Sequence, residues 1–193
     1  GVGGFITFSS DTIDIENGSA IESDSFSKTV ARLNAYKQEN IKVQVASKSK
    51  SILVNGIEIK LPPKELAFYL WLSQQPGRKI DADRDFCDSS VYSASYLKAY
   101  SLIASDSRVF KSFGVDDKAV EDLSEKELSA LPELNSFTKE WVQQARSKIN
   151  KEFKDCLDTA GADAVSIVSD EYNTKLHEVR YSISEALVVE HDL

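Results

Sequence analysis

Cysteine is scarce in this chain: Cys87 and Cys156 are the only two in 193 residues. So few thiols, so far apart, exclude a disulfide framework and a four-ligand zinc site. They read as reduced thiols of an intracellular protein, with Cys156 at a helix core position. Long apolar runs are missing as well. Nothing approaches the ~20 consecutive apolar residues of a membrane span, and no signal-peptide pattern opens the chain, so a cytoplasmic protein without a membrane partner is expected. Basic charge is in deficit, with 23 Lys and Arg against 31 Asp and Glu and a net charge of −8. That balance excludes broad, nonspecific attraction to nucleic acid but leaves room for a local basic face. A G-x-S-x-G nucleophile elbow is absent. The opening Gly1-Val2-Gly3-Gly4 lacks the preceding strand and following helix of a phosphate loop, and reads as a cloning scar or the stump of a longer protein. No cofactor is called for by any of these features.

What is there begins with Ser51–Gly77, SILVNGIEIKLPPKELAFYLWLSQQPG. Ile52, Val54, Ile57 and Ile59 flank Asn55-Gly56, the preferred pair for a two-residue turn that needs positive φ at both centres, so a hairpin is predicted. Pro62 and Pro63 end its second strand, and Pro63 suits the first turn of a helix, where its missing N–H costs nothing. Leu66, Ala67, Leu70 and Trp71 then recur at helical spacing, and Pro76-Gly77 closes the helix. Ahead of this stretch, Ile41, Val43 and Val45 alternate with polar residues as a half-buried strand, and Ser25 or Ser27 can cap a helix running to about Asn40. Phe5–Phe8 and Thr12–Ile15 are short β-like runs, read as a hairpin or as an arm completing another domain or partner. Gly1–Phe26 carries five acidic residues and no basic one.

The second half alternates in charge. Arg78–Ile80 is predicted as a short bridging strand. Asp81, Asp83 and Asp85 fail as a calcium loop because Phe86 stands where Gly is required, so an acidic helix start is the better reading. Tyr92, Tyr96, Leu97, Tyr100 and Ile103 share helical spacing; the tyrosines can stack bases, but such a stripe is more commonly core. Asp106–Glu133 holds eight acidic residues against four basic ones, with short acidic helices broken near Leu123-Ser124. Asn135 or Ser136 can cap the next helix, which is expected to run to about Leu157 and to bury Val142, Ala145, Ile149, Phe153 and Cys156. Its other face carries Lys139, Gln143, Gln144, Arg146, Ser147, Lys148, Asn150, Lys151 and Lys154, residue types that contact phosphates and base edges. Lys139, Gln143, Arg146, Ser147, Lys148, Asn150, Lys151 and Lys154 are therefore the candidate nucleic-acid-binding residues; a solvated amphipathic helix is the plainer alternative. Gly161 is read as a stop, with Ala164–Val168 and Val179–Ile183 as two strands around a polar loop, the order of a recognition helix and wing.

The short strand, the G-x-x-x-Leu strand end, the Leu- and Ala-rich helix and the Pro-Gly stop resemble the opening of an OmpR-type winged-helix domain. More narrowly, Phe26–Gln75, with SFSKTVARLN and ILVNGIEIKLPPKELAFYLWL, is similar to the C-terminal region of a CRISPR-associated family. RSKINKEFKDCL and the later VRYSIS fit its closing segment. In that family an N-terminal CARF domain senses cyclic oligoadenylate and precedes a winged-helix-like part that can serve dimerisation. The resemblance implies a non-catalytic regulatory or dimerisation part of a type III antiviral signalling protein, with a CARF domain, a second copy or weakly bound nucleic acid as partners. An OmpR-type domain is more compact between Cys87 and Pro132, so that segment reads as an insertion.

Three enzyme signatures bear on the same residues. The HEPN ribonucleases that accompany CARF domains need Arg-x4-6-His, and no arginine precedes His177 or His191 at that spacing. Glu58-Ile59-Lys60 has the E-x-K form of a metal-dependent nuclease strand, with Asp14 or Asp24 upstream, but the triplet is equally an ordinary amphipathic strand. No residue matches a ring-nuclease site. The expectation is thus an α+β fold, winged-helix-like: a β-like arm over residues 1–24, then a domain over 25–193 with a small antiparallel sheet and a helical insertion at about 87–132. The alternative function is a winged-helix transcriptional regulator that reads DNA with Phe137–Asp158.

Overall fold

The computed structural model describes residues 41–193; the expected N-terminal arm and the helix from Ser25 or Ser27 lie outside the described residues. The fold is α+β. Strand β1 (Lys42–Ala46), β2 (Ser51–Val54) and β3 (Ile57–Lys60) form an antiparallel meander. The β2–β3 turn is the predicted one, with Asn55 at φ 47° and Gly56 at φ 85°. Asn55 also accepts from the Lys42 N–H through Oδ1 at 2.8 Å, tying the turn to β1. Val43, Val45, Ile52, Val54 and Ile59 alternate onto one buried face.

Helix α1 (Pro63–Ser73) begins with Pro63 at its first helical position and is buried along Glu65–Leu72. A helix apolar on nearly every side belongs in the middle of a core. Gly77, at φ 66°, turns the chain into β4 (Lys79–Ala82). Two helices follow, α2 (Arg84–Asp88), with Asp83 as the acidic cap foreseen in the sequence, and α3 (Ser90–Ser101). Helix α3 is part of the core. Tyr96 and Tyr100 are buried, Tyr96 Oη donates to the Lys64 carbonyl at 2.8 Å, and Trp71 Nε1 donates to Ser95 Oγ at 2.7 Å. The tyrosine stripe is a packing surface, not a stacking platform.

Three short helices follow, α4 (Ser107–Ser112), α5 (Asp117–Asp122) and α6 (Glu125–Ser129). Each starts on a side-chain cap: Asp106, Asp116 and Ser124, the last in a full capping box with Glu127. The pairing of Asp106 with Arg108 holds its carboxyl down at about 2. Lys98 of α3 donates through Nζ to the carbonyls of Val120 and Leu123, closing the C-terminal end of α5.

Helix α7 (Lys139–Cys156) is capped by Thr138, whose Oγ1 accepts from Trp141 N–H at 3.0 Å. Asn135 and Ser136, the caps expected from sequence, are engaged elsewhere. The Asn135 N–H donates to the Phe113 carbonyl, and Ser136 Oγ donates to the Cys87 carbonyl. Val142, Ala145, Ile149 and Phe153 make the buried stripe as predicted, but Cys156 is exposed: the stripe ends one turn earlier. Gly161 does not stop a helix. It lies inside α8 (Thr159–Val165), whose cap Asp158 accepts from the Gly161 N–H at 2.7 Å. Ala164 and Val165 therefore belong to a helix rather than to a strand.

The chain closes with β5 (Val168–Asn173), β6 (Glu178–Ser182) and β7 (Val188–His191). Strand β6 pairs antiparallel with both β4 and β5, giving a three-stranded sheet in the order β4-β6-β5. Strand β7 lies parallel to β1 and completes a four-stranded sheet in the order β3-β2-β1-β7. Arg78 Nη1 holds the approach to β7 by donating to the carbonyls of Ser184 at 3.0 Å and Leu187 at 2.8 Å. Among the described residues, no helix is long and apolar enough to cross a membrane.

Candidate functional site

The candidate residues converge on α7, and the structure divides them into two groups. Val142, Ala145, Ile149 and Phe153 fix the helix against the core, so the residues beside that stripe face neighbouring chain and those opposite it face solvent. Asn150 is beside it. Its Nδ2 donates to the Ile167 carbonyl at 2.9 Å, and its Oδ1 accepts from the Ile167 N–H at 2.8 Å. Arg146 Nε donates to the same carbonyl at 3.0 Å. Both side chains are half-buried and committed to the backbone between α8 and β5. Two of the eight residues expected to meet nucleic acid thus hold the hairpin to the helix. Gln143 is exposed but accepts from Tyr181 Oη at 3.2 Å, on the inner side of β6.

Ser147, Lys148, Lys151 and Lys154 are exposed, as is Gln144. Lys148, Lys151 and Lys154 follow one another at three-residue spacing and so form a single row along the helix. Lys151 pairs with Asp155 at 2.6 Å, a surface contact between exposed groups and of small energetic weight. Lys139 is exposed at the N-terminal end of the helix beside Glu140. The solvent face of α7 is therefore basic but interrupted.

The β5–β6 hairpin beside it has the opposite balance. It carries Asp170 and Glu171 on β5 and Glu178 on β6 with Lys175 and His177 in the turn; His177 lies 3.2 Å from Glu171, and Glu178 accepts from Asn173 Nδ2 at 3.1 Å. Arg180 is spent on Asp81 of β4, Nε to Oδ1 at 2.6 Å and Nη2 to Oδ2 at 3.2 Å, and its guanidinium stacks 5.0 Å from the Tyr172 ring centroid. Hydrogen bonding from Arg180 is the main reason the Asp81 carboxyl is held below the usual carboxylate range. This fork-to-fork pair pins β6 to β4 from the outer face, while Val179 and Tyr181 pin it from the inner one.

The nuclease triplet finds no support in the geometry. Glu58 and Lys60 are exposed on β3 and pair with each other at 3.5 Å, and Lys60 Nζ also donates to the Ser49 carbonyl at 3.2 Å. Asp14 and Asp24 lie outside the described residues, and among the described residues no group of three His, Cys, Asp or Glu can hold a metal ion.

Replacing Asn150 by alanine separates its structural role from any contact role. The variant leaves a backbone N–H and a carbonyl with one donor fewer in a half-buried place, and each unmade bond of this kind costs about 1–3 kcal/mol. A loss of stability of that size by urea denaturation is expected, whatever α7 binds. An unchanged midpoint would show that solvent replaces both bonds.

The residues missed by sequence reasoning are Thr138 and Ile167. Thr138 sits three residues before Trp141 in a weak capping pattern. Ile167 carries no signal, because its backbone does the work. Comparison with protein-family models, with curated proteins and with solved structures returns no match to this chain.

Proposed function

We propose that this chain is a non-catalytic regulatory or dimerisation part of a CRISPR-associated protein in cyclic-oligoadenylate antiviral signalling, built as a winged-helix-like domain. The observation that carries the reading is the β4-β6-β5 sheet. It returns the hairpin after α7 to the strand that follows α1, the connectivity expected of a recognition helix with its wing. The family-like residues of α1, Leu66–Leu72, are buried, which makes them scaffold rather than contact surface. The departure from a plain winged helix is α8, inserted between the long helix and the hairpin.

The acidic hairpin favours a protein partner over a duplex, since a wing beside DNA meets phosphates. Two measurements test the reading together. Sedimentation velocity is expected to show concentration-dependent self-association. Calorimetric titration with cyclic tetra- and hexa-adenylate is expected to give no heat, because no residues for that ligand are placed in this chain. A strict monomer at every concentration, or submicromolar ring binding, would overturn it.

The exposed lysine row favours one second reading, a DNA-binding regulator. If Lys148, Lys151 and Lys154 each neutralise a phosphate, log affinity should fall with log salt at a slope of about −2.7 on duplex DNA. The triple alanine variant should lose that dependence with almost no change in melting temperature, since exposed charges contribute little to stability. Fluorescence anisotropy across salt concentrations decides it: equal, salt-independent signals from both proteins would remove the regulator reading. Arg146, held by Ile167, is no part of this set.

A further inference from the structure

Beside the short helices α4–α6 lies an open groove of about 400 Å³ lined by Lys111, Gly114, Val115, Asp116, Ala119 and Glu133. Its lining combines the exposed Gly114, the buried Val115 and the half-buried Ala119 with the carboxylates of Asp116 and Glu133 and the single lining cation Lys111. On α5 and α6, Asp117, Glu121, Asp122 and Glu125 are exposed, with Lys118 and Lys126 among them. Apolar lining beside carboxylates suits a side chain with a hydrocarbon stem and a cationic head, which buries its methylenes while the head stays in water. A small anion is disfavoured by the surrounding charge.

The same chain carries the complementary surface. The row Lys148, Lys151 and Lys154 stands exposed on α7, which is a continuous helix able to lie along a shallow groove. We propose that the acidic groove of the α4–α6 segment receives this lysine row from a second copy, each copy offering one surface of each kind. A symmetric pair of such contacts closes into a dimer, whereas a single head-to-tail contact would continue into an open chain. Charge complementarity of this sort sets register and speeds encounter, so the contact should be salt-sensitive. This proposal rests on the dimerisation reading above.

The test is sedimentation velocity on the full chain with two charge-reversed variants. One carries Glu121→Lys and Glu133→Lys, neither of which caps a helix; the other carries Lys148→Glu and Lys154→Glu, which spares the Lys151 pair. Wild type is expected to self-associate at low salt and to lose association near 1 M salt, where the Debye length falls to about 3 Å. Each variant alone should be monomeric with an unchanged melting temperature, and an equimolar mixture of the two should associate again. Recovery in the mixture is the decisive result, because loss of folding or of an unrelated surface cannot produce it. If wild type and both variants associate equally, the proposal fails while the dimerisation reading stands. If no protein associates at any concentration, both fail. If the variants are monomeric and their mixture stays so, the two surfaces do not meet and the proposal is overturned.

Discussion

Replacing Phe137 by alanine is expected to destabilise the protein by about 3–5 kcal/mol, the range for truncating a buried aromatic side chain. Phe137 is 1% exposed and stands at the meeting point of four elements. Its ring lies 5.4 Å from Trp71 and 6.2 Å from Phe68 of α1, 5.5 Å from Phe86 of α2 in a stacked pair, and 5.4 Å from Tyr96 of α3. It also meets Phe113 edge-on at 5.6 Å and Trp141 at 4.9 Å. Single aromatic pairs add about 0.5–1.5 kcal/mol beyond area burial. They are not additive here, because the rings share one site and relax together. Since domains hold only about 5–15 kcal/mol in total, the variant should sit near the edge of folding. Urea denaturation followed by the fluorescence of Trp71 and Trp141 reads the loss. Phe137→Leu, which keeps most of the volume, should lose far less. A deficit for alanine below about 1 kcal/mol would mean that the cluster closes over the void and that α7 is not keyed to the core through this residue.

The sequence pattern places Phe137 inside the following helix, whereas it lies just before the Thr138 cap. Sequence reading succeeds at Asn55-Gly56 and at Pro63 of α1, where the conformation is dictated by the residues themselves: positive φ at the turn and a fixed φ at the first helical position. The acidic cap at Asp83 and the break at Ser124 were legible for that reason too. What the local pattern does not carry is competition from distant chain. Asn135 and Ser136 are better capping types than Thr138 in a list of preferences, yet the helix starts after both: the Asn135 backbone N–H is bonded to the Phe113 carbonyl, which holds the chain there outside the helix, and the Ser136 hydroxyl donates to the Cys87 carbonyl. Helix α8 was misread because Ala160, Gly161 and Ala162 have poor periodicity. Its cap, Asp158, and the bonds from Asn150 and Arg146 to Ile167 settle the segment from outside.

The candidate site repeats the lesson at finer scale. Periodicity correctly separated the apolar stripe of α7 from the rest, but it treats every polar residue off the stripe as solvent-facing. Arg146 and Asn150 lie at the margin of the stripe, where a polar side chain can reach backbone that folds against the helix from later in the chain. On the far side Ser147, Lys148 and Lys154 are exposed, and Lys151 is exposed but paired with Asp155. Strand β7 was not foreseen at all, since its parallel pairing with β1 joins the two ends of the described chain and leaves no local trace. The groove beside the short helices α4–α6 was equally hidden, because it depends on Gly114 and Glu133 meeting across the loop that leads to α7.

That meeting gives the second large effect. Gly114 has φ 84°, and a Cβ built on it would stand 2.2 Å from the Glu133 carbonyl oxygen and 3.2 Å from Asn135 Nδ2. Gly→Ala usually stabilises by about 0.4–1 kcal/mol where the backbone permits it, by restricting the unfolded chain. Here both conditions are broken. The left-handed conformation costs an L-residue about 1–2 kcal/mol, and the methyl meets backbone, which cannot swing aside as a flexible side chain can. Overpacking of this kind adds about 1–3 kcal/mol. Gly114→Ala is therefore expected to lose about 3 kcal/mol or more, with strain focused where the Asn135 N–H bonds the Phe113 carbonyl. Gly56 is the control: its φ is 85° but nothing lies within 4 Å of its would-be Cβ. Gly56→Ala should lose only the conformational term, about 1 kcal/mol. Urea denaturation of the two variants side by side separates steric contact from backbone strain. Hydrogen exchange should place the Gly114→Ala loss in the α4–α6 segment before it reaches α1. Equal losses in the two variants would mean that the turn carrying Glu133 moves aside freely, and that the groove is not a fixed feature of the fold.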